Sequence, residues 1–194
     1  MTQFDRMPLV EALRVLHDAR GEEIVVTTMG VTREWLKISE NPLDMNYIPS
    51  AMGHGTGIGL GLALAQPGRH VVVLNGDGSM LMNLSSIVSI VDARASNLTL
   101  VVMNNGVYEV TGGQQLPSGE TVDYPAMAAA AGFPTTVRFS DMEAWREQRA
   151  DVFAMPGPRL IELRVAPMLG EPPPVFRHSM PQRIARLQQA LGVG

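Results

Sequence analysis

The 194-residue sequence contains no cysteine, which excludes a disulfide framework and thiolate metal sites. Charged residues make up 18% of the chain and the net charge is −4, so no basic field favours binding to nucleic acid. Long apolar runs are also missing, because the weakly polar residues 51–65 carry five glycines and are too few to cross a bilayer. We therefore expect a cytoplasmic protein that binds neither nucleic acid nor membrane.

Apolar segments of two different periods alternate along the chain. Runs typical of strands occur at residues 23–28, 70–74, 98–103, 135–139 and 159–165. Helices are predicted at 8–19, 32–38, 53–65, 82–95, 124–131, 141–153 and 181–191, with caps at Thr32 and Asp141. This order predicts an α/β fold with an open, mostly parallel sheet and helices on both faces. Residues 1–166 should form this domain, and residues 167–194 a linker and C-terminal helical arm.

Two of the predicted strands end in polar loops, NGDGS at residues 75–79 and NNGVY at residues 104–108. In parallel sheets ligands bind at the carboxyl ends of the strands, so these loops should lie side by side. The carboxylate of Asp77, the amide oxygen of Asn105 and a carbonyl aimed inward by the turn at residues 105–107 suit Mg²⁺. The pattern therefore predicts a magnesium site.

The first loop also lies where the next predicted helix begins. Backbone N–H groups of Gly76, Gly78 and Ser79, together with the positive end of the helix, would favour a phosphate group. The two loops thus predict a cradle for Mg²⁺ and a diphosphate. A tight turn and an ordinary polar loop are the alternative interpretation.

Gly-Asp-Gly at residues 76–78 and Asn-Asn at residues 104–105, separated by 25 residues, resemble the signature of the thiamine diphosphate-dependent enzymes. The resemblance implies the thiamine diphosphate-binding fold, with Mg²⁺ held by Asp77, Asn105 and the carbonyl of Val107. The cofactor-binding residues that it implies are Thr28, Gly30, Ser50, Met52, Gly53, Gly76, Gly78, Ser79 and Tyr108.

Some of these residues have two interpretations. The carbonyl of Ser50 would accept a hydrogen bond from the aminopyrimidine, and Met52 would support the bent cofactor unless it only packs in the core. Thr28 and Gly30 would contact phosphate or form a plain strand-to-helix turn, and Asn104 would be structural or lie behind the metal ligands. Close packing is predicted for one face of the glycine-rich helix, at Gly53, Gly57 and Gly61.

A closer resemblance, to the decarboxylases of sulfopyruvate and phosphonopyruvate, is carried by SAMGHGTGIGLGLAL (50–64), GDGSMLMNLSSI (76–87) and NNGVYEVTGGQQ (104–115). It implies decarboxylation of a 3-substituted pyruvate, which is a small 2-oxoacid. The catalytic candidates are His54, Thr111 and Gln114, with His54 either relaying a proton or filling a gap. Glu109 is a further candidate for lining the substrate pocket, although it is expected to face solvent.

The resemblance also implies a partner. In this family an activating glutamate belongs to a separate pyrimidine-binding domain, and Glu11, Glu22 and Glu23 of this chain are expected to be surface charges. We therefore expect a pyrimidine-binding-domain subunit that supplies the glutamate, in a hetero-oligomer such as α2β2 or larger. The alternatives are a subunit of an acetolactate synthase-like carboligase or of a 2-oxoacid oxidoreductase, and a non-catalytic cofactor-binding protein.

Overall fold

A computed structural model of the chain describes residues 6–46, 52–117, 119, 121–172 and 175–193. In this part of the chain one sheet contains six strands, all parallel. Across the sheet they follow the order β2 (Asp44–Asn46), β1 (Ile24–Thr27), β3 (Val71–Gly76), β4 (Leu98–Asn104), β8 (Arg159–Arg164) and β7 (Thr135–Phe139). Two short strands, β5 (Val107–Tyr108) and β6 (Gln114–Gln115), form an antiparallel hairpin around a 3₁₀ turn at Glu109–Thr111.

Helices cover both faces of the sheet, which confirms the predicted α/β fold. One face packs against α1 (Leu9–Asp18), α2 (Met29–Trp35) and α7 (Met142–Ala154). The other packs against α3 (Gly55–Ala65), α4 (Asp77–Met82), α5 (Ser86–Asp92), α6 (Tyr124–Ala131) and α8 (Met180–Leu191). None of the described helices is long and apolar enough to cross a membrane.

Strand β3 contributes side chains to both hydrophobic core layers, one on each face of the sheet. Val72 and Leu74 join the layer that contains Trp35, whereas Val71 and Val73 enter the layer that contains Ile90. Successive side chains of a strand point to opposite faces, so a strand buried on both sides needs apolar residues at every position. This requirement explains the uninterrupted apolar run that identified the strand in the sequence.

Helices α6 and α7 begin where the sequence predicted because each has an aspartate cap. The side chain of Asp123 accepts a hydrogen bond from the N–H of Ala126 at 3.1 Å, and that of Asp141 from the N–H of Ala144 at 2.8 Å. Gly132 ends α6 in the left-handed conformation, with φ of 112°, which glycine adopts without strain.

The predicted start of α2 is wrong. The helix begins at Met29, and Thr32 lies inside it, where its hydroxyl is 2.9 Å from that of Thr27. Met29 itself has φ of +49°, a left-handed conformation that strains a residue with a side chain. Cap patterns assume an unstrained residue at the helix start, so the sequence did not indicate this position.

The helix predicted at residues 82–95 is also wrong, because the structure contains two shorter helices. Helix α4 starts at Asp77, directly after β3, and α5 starts at Ser86. Between them the side-chain amide of Asn83 donates to the carbonyl of Gly53 at 2.8 Å. The helical path therefore ends at Asn83, whose side chain joins the segment before α3.

The glycine-rich helix α3 packs through a different face from the predicted one. A Cβ added at Gly55 or Gly59 would lie 2.3 or 2.1 Å from a neighbouring side-chain atom. At Gly57 and Gly61 such a carbon would meet no heavy atom of another described element within 4 Å. Gly53 lies before the helix, with φ of +73°. Within the helix, the close contacts with the rest of the fold are therefore made by Gly55 and Gly59. Of the three predicted positions only Gly53 packs closely, since a Cβ there would lie 3.2 Å from the Cβ atoms of Met82 and Asn83.

The order of the strands changes direction beside β1. From β1 the chain adds β2 on one side and then crosses over to add β3 on the other. In doubly wound sheets, ligands bind in the crevice outside the carboxyl ends of the strands at such a switch point. The N–H of Thr28 donates to the carbonyl of Leu74 at 3.2 Å, so the two strand ends meet there.

Candidate functional site

A cavity of about 230 Å³ lies at this switch point. Its walls come from the start of α2, from the turn between β3 and α4, and from the loop that follows β4. Much of the remaining lining is apolar, as at Leu9, Met103 and Val165. The predicted site residues that line the cavity are Thr28, Gly30, Met52, Gly76, Asp77, Gly78, Ser79, Asn105, Val107, Tyr108 and Thr111.

Asp77 is the first residue of α4 and is 2% exposed. Its carboxylate oxygens accept hydrogen bonds from the N–H groups of Gly78 at 2.8 Å and Gly106 at 2.7 Å. Burial raises the pKa of the Asp77 carboxyl to about 6, although these two N–H groups, that of Asn105 and the charge of Arg6 act to lower it. The carboxylate is held mainly by backbone dipoles, so a bound cation would stabilise it.

The side chain of Asn105 is held at both ends. Its Nδ2 donates to Oε2 of Glu109 at 2.9 Å, and its Oδ1 accepts from the N–H of Val107 at 3.0 Å. An amide oxygen has two lone pairs, so Oδ1 can still bind a cation.

Val107 lies in the β5–β6 hairpin beside the cavity. The carbonyls of its neighbours Gly106 and Tyr108 accept hydrogen bonds from the N–H groups of Leu116 and Gly113. Successive peptide groups of a strand point to opposite sides, so the carbonyl of Val107 faces away from β6. This orientation suits the predicted third metal ligand.

The prediction that Glu109 faces solvent is wrong, because its side chain is 6% exposed. Its Oε1 accepts from Arg33 Nη2 at 2.8 Å, and its Oε2 accepts from Asn105 Nδ2 and from the N–H of Met168, both at 2.9 Å. A Cβ added at Gly30 would lie 2.9 Å from Oε1, so a glycine leaves room for the carboxylate. No spacing rule of the sequence indicates this contact, because residues 105–109 do not form an α-helix.

Arg33 belongs to a buried network of charged side chains that includes Glu109, a residue of the cavity lining. Its Nε donates to Oε1 of Glu34 at 2.6 Å, and Glu34 also pairs with Lys37 at 2.9 Å. Burial acts to lower the pKa of Arg33, but its hydrogen bonds to Glu34 and Glu109 outweigh that effect and raise it. Arg33 therefore provides a permanent positive charge beside Glu109.

Asn104 is held away from the metal ligands. Its Nδ2 donates to Oε1 of Glu162 on the neighbouring strand β8, at 2.8 Å, and only 2% of the residue is exposed. The structure thus favours the structural interpretation of Asn104.

Close contacts also fix the start of α4. A Cβ added at Gly78 would lie 2.7 Å from Cδ1 of Tyr108, so the ring packs directly on the glycine. The hydroxyl oxygen of Ser79 accepts from the N–H of Gly53 at 3.0 Å. These contacts join the loop after β4 and the segment before α3 to the turn that carries Asp77.

Other predicted site residues lie elsewhere. Ser50 is outside the described residues, and Met52 is 40% exposed at the edge of the cavity. His54 is exposed just before α3 and does not line the cavity. Gln114 does not line the cavity itself. Its Nε2 donates to the carbonyl of Thr111 at 2.8 Å, and Thr111 lines the cavity. The catalytic roles of these residues stay predictions.

The residues present fit Mg²⁺ and a diphosphate. In the described part of the chain no cluster of three or more His, Asp or Glu side chains could hold a metal ion. One carboxylate, one amide oxygen and one carbonyl, from Asp77, Asn105 and Val107, are instead donors that suit Mg²⁺ when phosphate and water complete its octahedron. A Cβ added at Gly76 would meet nothing within 4 Å, so a phosphate could approach the backbone there.

Comparison with known proteins defines the class. Residues 27–163 match the family described as thiamine pyrophosphate enzyme, C-terminal TPP binding domain. The chain belongs to this family, and the predicted resemblance is confirmed.

Within this family, the chain is similar to two decarboxylases. Sulfopyruvate decarboxylase subunit beta of Methanothermobacter thermautotrophicus is 34% identical over 159 residues, which cover 81% of this chain and 82% of the relative. Phosphonopyruvate decarboxylase of Streptomyces viridochromogenes is 36% identical over 154 residues, which cover 79% of this chain but 38% of the relative. The chain thus spans well under half of the second protein and most of the first.

A third relative and a solved structure are more distant. A Mycobacterium tuberculosis chain proposed to be an acetolactate synthase large subunit is 30% identical over 138 residues, which cover 62% of this chain and 26% of the relative. The structure of a Mycobacterium smegmatis enzyme proposed to depend on thiamin diphosphate matches with a TM-score of 0.68 at 22% identity, covering 84% of this chain and 32% of that one. This likeness confirms the fold.

Proposed function

We propose that the chain is one subunit of a heteromeric 2-oxoacid decarboxylase that depends on thiamine diphosphate and Mg²⁺ and acts on a 3-substituted pyruvate. The observation that carries the proposal is the meeting of two strand ends, where the N–H of Gly106 lies 2.7 Å from the buried carboxylate of Asp77. This contact brings a carboxylate, an amide oxygen and a free carbonyl together at the switch point of a thiamine pyrophosphate enzyme domain.

Each part of the site would have its own task. Asp77, Asn105 and the carbonyl of Val107 would hold Mg²⁺, and the turn at residues 76–79 would bind the diphosphate. Thiamine diphosphate, when bound, supplies the electron sink that lets a 2-oxoacid lose CO₂. The apolar wall of the cavity would exclude water and strengthen the electrostatic contacts inside. Thr111, which is held by hydrogen bonds with Gln114, is proposed to contact the substrate. His54 is proposed to relay a proton.

A partner subunit is proposed to supply the activating glutamate from a pyrimidine-binding domain. The likeness to a protein named as a subunit supports this division, because the chain covers 82% of sulfopyruvate decarboxylase subunit beta. The complex would be a hetero-oligomer such as α2β2 or larger, with the cavity completed between chains.

One observation favours a second candidate, a carboligase or decarboxylase that acts on a 2-oxoacid with an uncharged side chain. In the part of the chain that the structure describes, no Arg, Lys or His side chain lines the cavity, whereas Val31, Val110 and Met29 do. An apolar wall suits an alkyl group better than a sulfonate or a phosphonate. The relative proposed to be an acetolactate synthase large subunit agrees with this alternative.

Calorimetric titration tests the cofactor assignment. Purified chain, alone and mixed with a pyrimidine-binding-domain subunit, is titrated with thiamine diphosphate in the presence and absence of Mg²⁺. We expect binding that requires Mg²⁺ and that Asp77→Ala abolishes. Asp92→Ala, which removes an exposed carboxylate at the end of α5, should bind like the native chain. Normal binding by Asp77→Ala would overturn the metal site.

Product analysis separates the two reactions. The complex is incubated with pyruvate, sulfopyruvate and phosphonopyruvate, and the products are identified by mass spectrometry. Aldehyde formed from an acidic 3-substituted pyruvate supports the first candidate. Acetolactate-type products formed from pyruvate would support the second instead.

A further inference from the structure

We propose that Glu109 is a positioning residue that decides which edge of the Asn105 amide faces the metal. The inference rests on the proposed function, since it concerns the Mg²⁺ ligand set. It extends that function by assigning a task to a buried carboxylate that the ligand set leaves unused.

The orientation of an amide is decided by its partners. Its oxygen edge and its NH₂ edge have nearly the same shape, so packing alone does not distinguish them. A carboxylate only accepts hydrogen bonds, and Glu109 therefore selects the NH₂ edge of Asn105, at 2.9 Å. The oxygen edge then faces the N–H of Val107, at 3.0 Å, with one lone pair left for a cation.

The flipped amide would be unfavourable on both sides. Its oxygen would face the oxygens of Glu109, and its NH₂ would face the N–H of Val107. In that state Asn105 would present two N–H donors to the cation, and the ligand set would lose one of its oxygens.

Glu109 can impose this choice because it is itself fixed. Arg33 holds one of its oxygens at 2.8 Å, and the N–H of Met168 holds the other at 2.9 Å. The side chain is 6% exposed and packs on Gly30, so it has little room to turn. The three groups that donate hydrogen bonds to Glu109 belong to α2, to the loop after β4 and to the segment after β8.

The first test uses isosteric variants. Glu109→Gln replaces one acceptor oxygen with an NH₂ group that must face one of three donors, and the Asn105 amide can then flip. We expect the affinity for Mg²⁺, measured by calorimetry in the presence of thiamine diphosphate, to fall about 10- to 100-fold, the usual effect of losing a partner behind a metal ligand. Glu34→Gln is the matched control, because it alters the same Arg33 network without touching Asn105. Because Glu34 reaches Asn105 only through Arg33 and Glu109, this variant should lower the Mg²⁺ affinity clearly less than Glu109→Gln does.

The second test is a double-mutant cycle with Asn105→Asp. In the Glu109→Gln background, the carboxylate at position 105 can accept from the new NH₂ group and keep an oxygen towards the metal. In the native background, the same carboxylate faces Glu109 and is repelled. We expect Asn105→Asp to improve the Mg²⁺ affinity about tenfold more in the Glu109→Gln background than in the native one. A merely structural role of Glu109 predicts instead that Glu109→Gln lowers the free energy of unfolding and leaves the Mg²⁺ affinity unchanged.

The outcomes distinguish this inference from the function on which it rests. If the native chain shows no Mg²⁺-dependent binding even with its partner subunit, the proposed function fails and the inference fails with it. If the native chain binds but Glu109→Gln matches it, or the cycle shows no coupling, the inference alone is overturned.

Discussion

The ring of Tyr108 lies directly on the backbone of Gly78, so that a Cβ on residue 78 would be 2.7 Å from ring atom Cδ1. This contact sets the separation between the turn that carries Asp77 and the hairpin that carries Val107. Both residues line the cavity, so the width of the proposed cofactor site depends on the absence of a side chain at position 78.

We expect Gly78→Ala to lower the free energy of unfolding by about 1–3 kcal/mol, because the added carbon overpacks the ring. It should also weaken Mg²⁺-dependent binding of thiamine diphosphate, since the ring or the start of α4 must move. Urea unfolding and calorimetry measure the two effects. In a Tyr108→Ala background the same substitution should cost little. An equal cost in both backgrounds would mean that the ring is not the obstacle.

Two glycines of helix α3 should respond in opposite directions. Gly61→Ala should raise the free energy of unfolding by about 0.5–1 kcal/mol, because the position is open and alanine favours helix. Gly59→Ala should lower it by about 1–3 kcal/mol, because the new carbon would lie 2.1 Å from Cγ2 of Val73. Thermal or urea unfolding of both variants in parallel measures the difference, and a shared sign would refute the assigned packing face.

Arg33 should be essential to the stability of the wall behind the site. Arg33→Met leaves the carboxylates of Glu34 and Glu109 buried without this partner, and we expect a loss of about 3–5 kcal/mol in the free energy of unfolding. Lys37→Met is the control, since the Lys37 side chain is 52% exposed and should cost less than about 1 kcal/mol. Comparable losses in the two variants would contradict the special role of the buried pair.

His70 should make the folded state sensitive to acid. Burial lowers the pKa of His70 to about 4, as does the charge of Arg159; Arg149 lowers it further and Glu23 opposes the shift. Its Nε2 lies 3.1 Å from Nη1 of Arg159 and 2.8 Å from the hydroxyl of Thr99. At His70 the unfolded chain therefore binds more protons between about pH 6.5 and pH 4, so the contribution of this residue to stability falls as the pH drops through that window. The raised pKa of Asp77 acts in the opposite direction, because the folded state binds more protons at that carboxyl.

Urea unfolding at pH 7.5 and pH 5.0 measures this sensitivity. We expect His70 to account for about 1–2 kcal/mol of the stability lost on acidification. His70→Gln keeps a hydrogen-bond acceptor without a titrating ring, so its stability should change less between the two pH values. Equal losses in the native chain and the variant would assign the acid sensitivity to other groups.

The sequence predicts best where structure is decided locally. Helix α6 and strand β7 match their predicted limits because the cap at Asp123 and the left-handed Gly132 act within a few residues. The meeting of the loops that follow β3 and β4 was also predictable, because parallel strands bring their carboxyl ends together whatever packs around them. Asp77 and Asn105 therefore line one cavity, as their motifs indicate.

Predictions fail where partners are far apart in the chain. Glu109 was expected in solvent, but its buried position depends on Arg33, 76 residues earlier, and on Met168, 59 residues later. The break between α4 and α5 likewise lies at Asn83, whose side chain bonds to Gly53, 30 residues earlier. Charge and spacing along the chain do not contain these distances, so only the three-dimensional arrangement reveals them.

Strand β3 carries His70 immediately before its first residue and Asp77 immediately after its last. Seven residues of extended chain place the two roughly 20 Å apart. Two charges at that distance interact by only about 0.8 kcal/mol at an effective dielectric constant of about 20. A substitution at His70 can thus change the response of the fold to acid while leaving the electrostatics of the proposed cofactor site nearly unaltered, so one strand carries two properties that natural or laboratory evolution can address at opposite ends.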